Sequence, residues 1–127
     1  MVQLTLPNSK QISTIIQISD FHIRIGDLEK SRFLDYKATI SNLEQMIASL
    51  PQVKNNSAIT IFCGDMFNFK NRLDSLSVKL FYLLINTVTK YTPMYIIQGN
   101  HDFCQSNAEI PDVLSSLLSR KLNINVL

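Results

Sequence analysis

Three short apolar runs, each ended abruptly by polar residues, constrain the fold of this chain more than any other feature. They cover residues 12–19, Ala58–Cys63 and residues 94–98. β-Branched residues fill them on both faces, which is typical of buried strands. With a final alternating run at 122–126 and helical patterns in between, the order is βαβαβαβ. This order predicts an α/β fold with a mostly parallel sheet and flanking helices, in a single domain over residues 1–127.

Apolar positions between the strands recur every three or four residues, as on one face of an amphipathic helix. The first such stripe occupies residues 33–50 and stops at Pro51, and the composition of 52–57 predicts a loop. The second stripe follows Asp74 or Ser75, either of which can cap a helix. A third, shorter helix is predicted from about Pro111, a favourable first-turn residue.

Composition places the chain among globular proteins. Its 127 residues are 46% hydrophobic and 17% charged, which excludes a disordered chain. A net charge of +2 favours neither nucleic-acid nor membrane binding, and no apolar run reaches the roughly 18 residues of a membrane span. Cys63 and Cys104 are far apart and form no CxxC pair, so both are predicted to be reduced thiols. Reduced thiols predict an intracellular protein of the cytoplasm or nucleus. The abundance of Asn, Ile and Lys is associated with AT-rich genomes and suggests a viral protein in an infected cell.

Glycine is scarce and its positions are informative. The chain has only three glycines, and two of them, Gly64 and Gly99, follow predicted strands and precede polar residues. A chain this sparing of glycine is expected to place it where the backbone needs a positive φ or a close approach.

The polar residues that follow the three strands are predicted to meet, because the carboxyl ends of parallel strands lie at one edge of a sheet. Each motif alone is an ordinary turn, but the three occur in order and contain both histidines of the chain. Oxygen and imidazole ligands without thiolate suit Mn²⁺, Fe or Zn²⁺. The motifs are Asp20-Phe21-His22, Gly64-Asp65 and Gly99-Asn100-His101-Asp102.

This ordered set resembles the motifs of the calcineurin-like metallophosphoesterases, over most of the chain from about Ile12 onward. The flanks at 18–24 and 64–67, followed by Lys70 and Arg72, resemble those of the DNA double-strand-break repair exonucleases. The resemblance implies a double β-sandwich (αββα) of which this chain is the first half. It also implies a metal-dependent phosphodiesterase or nuclease acting on DNA.

The resemblance assigns roles to individual residues. Two divalent ions, Mn²⁺ before Fe or Zn²⁺, would hold a bridging hydroxide for in-line attack on phosphorus. Asp20 and His22 would bind the first ion, Asp65 would bridge both, and Asn100 would bind the second. His101 would stabilise the developing charge or protonate the leaving oxygen.

Four further residues are assigned around this site. Asp102 would orient His101 rather than bind metal. Arg24, Lys70 and Arg72 are candidate contacts to substrate phosphate, although an ordinary solvated face explains them equally well.

The sequence departs from the family pattern in two places. Asn68 stands where the exonuclease subgroup has a histidine, and it cannot titrate. The later histidines that complete both metal sites are absent, because His22 and His101 are the only two. Because these ligands are absent, we expect the chain to pair with a missing carboxy-terminal half or with a second copy of itself. DNA is the other expected partner, and no membrane is expected.

Two alternatives follow from these departures. The chain could be a truncated or split half-domain without catalysis of its own, acting as a nucleic-acid-binding or complementing module. A small Rossmann-like nucleotide-binding domain is disfavoured, because residues 20–22 stand where a glycine-rich loop should follow the first strand.

Overall fold

The computed structural model describes residues 11–25, 29–68, 74–97, 99 and 124–126. Within these ranges four parallel strands form one sheet in the order β1-β2-β3-β4. This arrangement confirms the predicted α/β fold with a parallel sheet. The elements are β1 (Thr14–Ile18), α1 (Glu29–Ser49), α2 (Pro51–Lys54), β2 (Ala58–Cys63), α3 (Ser75–Thr89), β3 (Met94–Ile97) and β4 (Ile124–Val126).

One predicted boundary was wrong. Residues 51–54 form the short helix α2 instead of the first part of a loop. Pro51 ends α1 as predicted, but its fixed φ also suits the first turn of a new helix. Val53, only 8% exposed, fastens this turn to the core. The helix predicted from Pro111 lies outside the described residues.

Both long helices cover the same face of the sheet. The strands lie in the sheet in the same order as in the sequence. With right-handed crossovers, this order places successive helices on one side of the sheet. α1 and α3 accordingly contact each other. The strand residues that pack in this core are Ile16, Ile18, Ala58, Phe62, Met94 and Ile96. The stripes predict most of the fully buried helical residues, and Ile85 is buried in addition. These residues are Ile40, Ile47, Leu80, Phe81, Leu84, Ile85 and Val88.

The opposite face of the sheet is also apolar, and part of it is exposed. Ile15 on β1 is 59% exposed and Ile97 on β3 is 43% exposed, whereas Ile59 and Tyr95 between them are buried. Strands that are apolar on both faces expose such side chains wherever none of the described elements packs on them. Among the described helices, none combines the length and apolar composition needed to cross a membrane.

Asp74 begins α3 with a side-chain cap. Its carboxylate accepts hydrogen bonds from the Ser77 backbone amide at 2.8 Å and from the Ser77 hydroxyl at 2.7 Å. Burial raises the pKa of Asp74, but these hydrogen bonds to the charged form outweigh it and hold the pKa below its ordinary value. The cap therefore stabilises the protein most when Asp74 is ionised.

We predict that Asp74→Ala lowers the free energy of unfolding by about 1 kcal/mol at pH 7. Because the folded pKa is depressed, this stabilisation is present above the unfolded value of about 3.9 and is lost as pH falls through the folded pKa. Urea unfolding of wild type and variant at pH 7 and pH 3 measures the difference. Asp74→Asn, which caps without titrating, is the control, and a wild-type-to-alanine difference independent of pH would contradict the prediction.

Candidate metal centre

The loops that follow β1 and β2 are joined by backbone hydrogen bonds beyond the ends of the strands. The amide of Asp20 donates to the Gly64 carbonyl at 3.2 Å, and the amide of His22 donates to the Asp65 carbonyl at 3.0 Å. Ile23 continues the pairing, donating to Met66 at 2.8 Å. These bonds hold the first two motifs side by side.

The candidate ligands share an unusual backbone conformation. φ is +53° at Asp20, +45° at His22 and +57° at Asp65, with +82° at the preceding Gly64. Left-handed backbone costs about 1–3 kcal/mol per non-glycine residue and persists only where neighbouring structure enforces it. Such conformations concentrate at functional sites, so three in one cluster mark this edge of the sheet.

The three side chains converge. One ligand atom from each of Asp20, His22 and Asp65 lies within 4.8 Å of the other two. His22 Nε2 is 3.6 Å from an Asp20 carboxylate oxygen, and the two side chains are 37% and 66% exposed. Two carboxylates and one imidazole fit Mn²⁺, Fe or Zn²⁺. The residues present therefore suit a divalent ion, and their role as ligands stays a prediction that this geometry supports.

Helix α1 anchors the first loop through Tyr36. The Tyr36 hydroxyl donates to the His22 carbonyl at 2.7 Å and accepts from the Arg24 amide at 3.3 Å. Arg32 also donates to the Arg24 carbonyl, at 3.2 Å. Sequence reasoning places Tyr36 only in the apolar stripe of the helix. A tyrosine among aliphatic positions is the signal that could have revealed this contact.

Gly64 and Gly99 each meet one of the two expected requirements, a positive φ or a close approach of the backbone. Gly64 has a positive φ, and Gly99 lies against Asp65. A Cβ at position 99 would overlap the Asp65 backbone nitrogen and a carboxylate oxygen, and would lie 2.9 Å from the carboxylate carbon. The third motif thus touches the second, and the absence of a side chain at Gly99 leaves room for the Asp65 carboxylate.

The remaining predicted site residues have different positions. Arg24 is exposed on the first loop, and its contact with phosphate stays a prediction. Asn68 is half-buried, and its amide donates to the Ile23 carbonyl at 3.2 Å, so it adjoins the first motif. Five of the predicted site residues lie outside the described residues: Lys70, Arg72, Asn100, His101 and Asp102.

We predict that Gly99→Ala lowers the affinity for Mn²⁺ about 10- to 100-fold, as is typical when a residue that orients a ligand is changed. The added Cβ meets the Asp65 backbone, which side-chain rotation cannot relieve. Titration followed by the electron paramagnetic resonance of free Mn²⁺ measures the affinity. In an Asp65→Asn background, where one charged ligand is already lost, the same substitution should lower the affinity less than in wild type. A Gly99→Ala variant that binds Mn²⁺ as tightly as wild type would contradict the prediction.

Comparison with known proteins agrees with this geometry. The model of the calcineurin-like phosphoesterase family matches residues 13–125, nearly the whole chain. A relative, uncharacterized protein R555 of Acanthamoeba polyphaga mimivirus, is 26% identical over 108 residues. That match covers 85% of this chain and 8% of the relative. The chain belongs to the calcineurin-like phosphoesterase family.

Proposed function

We propose that the protein is a Mn²⁺-dependent phosphodiesterase of the nuclease type, acting on DNA. The observation that carries the proposal is the convergence of Asp20, His22 and Asp65 from two loops joined by backbone hydrogen bonds. Membership of a phosphoesterase family supports hydrolysis of a phosphate ester. DNA as the substrate and Mn²⁺ as the ion are the finer parts of the proposal.

The metal supplies positive charge that polarises phosphate and activates water when it is bound. Asp20 and His22 would hold the first ion, with the imidazole neutral and the carboxylate ionised. Asp65, which has two carboxylate oxygens, would supply a ligand to both ions. Asn100 would hold the second ion, and His101, oriented by Asp102, would donate a proton to the leaving oxygen.

The choice of a hard ion rests on the donor set. Cys63, the one cysteine within the described ranges, is at the carboxyl end of β2 and pairs in register with Ile97. The cluster itself contains only oxygen and nitrogen donors. Such donors favour Mn²⁺ over soft ions. Arg24, with Lys70 and Arg72 as predicted from the sequence, would complement a phosphodiester backbone.

We predict Mn²⁺-dependent hydrolysis of bis(p-nitrophenyl) phosphate and of single-stranded DNA by the purified chain. Asp65→Asn should reduce the rate at least 100-fold, since it removes a charged ligand that two ions share. Asp35→Asn, which changes an exposed carboxylate of α1, is the matched control and should leave the rate unchanged. Hydrolysis that persists in EDTA, or equal effects of the two variants, would contradict the proposal.

A second candidate function is a half-domain that binds nucleic acid or completes another segment without cutting. The histidine content favours it, because His22 and His101 are the only two histidines of the sequence and the later histidine ligands of the family pattern are absent. In this alternative a carboxy-terminal segment or a second copy is the partner. DNA affinity that is insensitive to His101→Ala, in a chain with no hydrolysis, would favour this function over the first. The intracellular location also stays a prediction.

A further inference from the structure

An open groove of about 420 Å³ lies between the carboxyl end of β1 and the helix α1. One wall includes Gln17, Ser19 and Phe21. The other includes Asn42, Leu43 and Met46, which follow helical spacing and so lie on one face of α1. The volume is within the range of small-molecule sites, about 300–1,000 Å³.

The groove adjoins the candidate metal centre. Ser19 and Phe21, which both line it, immediately precede and follow Asp20. The Phe21 ring packs on Tyr36 with 5.6 Å between centroids, and Tyr36 in turn holds the His22 carbonyl. A ligand in the groove would therefore have one end beside the metal ligands.

The lining combines apolar surface with neutral hydrogen-bonding groups. Phe21, Leu43 and Met46 supply the apolar part, and Met46 is 68% exposed. Asn42 supplies a side-chain amide, which is exposed and makes no hydrogen bond to other described residues. The described lining contains no charged side chain.

This chemistry favours a neutral, planar ligand with polar edges. Bases stack on aromatic side chains, and asparagine and glutamine amides hydrogen-bond to base edges. An aliphatic chain would leave the Asn42 amide without a partner, and a phosphate in the groove would find no cation among the described lining residues. A nucleobase with its sugar satisfies both parts of the lining.

We propose that this groove binds the nucleoside part of a phosphodiester substrate, with the phosphate at the metal centre. The inference rests on the proposed function and names the part of the substrate that the chain recognises. In this arrangement Asn42 hydrogen-bonds to the base edge, and Phe21 contacts its face.

The test uses adenosine, which has no phosphate, in the presence of EDTA, so that binding does not depend on metal. We expect adenosine to shift the side-chain amide signals of Asn42 in ¹⁵N–¹H NMR spectra. Asn42→Ala should weaken binding about tenfold, and Met46→Ala should also weaken it. Gln45→Ala removes an exposed amide from the same helix outside the groove and should have no effect.

Two results would overturn the inference. One is the absence of adenosine-dependent shifts, or an equal loss of binding in the Asn42 and Gln45 variants. The other is binding of benzyl alcohol, a ring without base-like edges, as tight as that of adenosine.

Mn²⁺ binding with and without Asp65→Asn is measured separately. Mn²⁺ binding without adenosine binding refutes the groove alone, whereas adenosine binding without Mn²⁺ binding refutes the proposed function and with it a substrate role for the groove.

Discussion

The backbone pairing that continues past the ends of β1 and β2 is the interaction on which the candidate centre depends. Strands usually separate into independent loops where they end. Here the amides of Asp20, His22 and Ile23 still donate to carbonyls of the second loop, and Ile23 pairs with Phe67 in a parallel bridge. Ile23 and Phe67 are both buried at 2% exposure, so the far end of this pairing is part of the core. The two loops are thus positioned by the same forces as the sheet.

This pairing explains how unfavourable backbone conformations persist at Asp20, His22 and Asp65. Each left-handed residue is enclosed by hydrogen bonds that a relaxed conformation would break. Between the two ligands of the first loop, Phe21 packs against the core beside Tyr36. Successive residues of this loop therefore have different roles. The candidate ligands Asp20 and His22 converge on one point, whereas Phe21 between them packs on the core and holds the loop in place.

The sequence predicts those features of the fold and of the candidate centre that depend on neighbouring residues, and it predicts contacts between distant segments less well. β2 has the predicted bounds, since Ser57 and Gly64 delimit an uninterrupted apolar run. Gly64 and Gly99 were predicted to serve a positive φ or a close approach, and one does each. Helix α2 was missed because the same Pro51 that ends one helix begins another. The Tyr36 contact could not be predicted, because it joins residues 14 apart whose meeting depends on how α1 lies along β1.

The exposure of the centre argues for chemistry rather than for a structural metal. Structural ions are enclosed by a full set of protein ligands, whereas catalytic ions keep positions open for water or substrate. The side chains of the candidate ligands Asp20 and His22 are 66% and 37% exposed. The loops that carry these ligands are already joined by backbone hydrogen bonds and anchored by Tyr36. An ion held there would be in contact with solvent on a preformed support, which is the arrangement that a phosphate ester can approach.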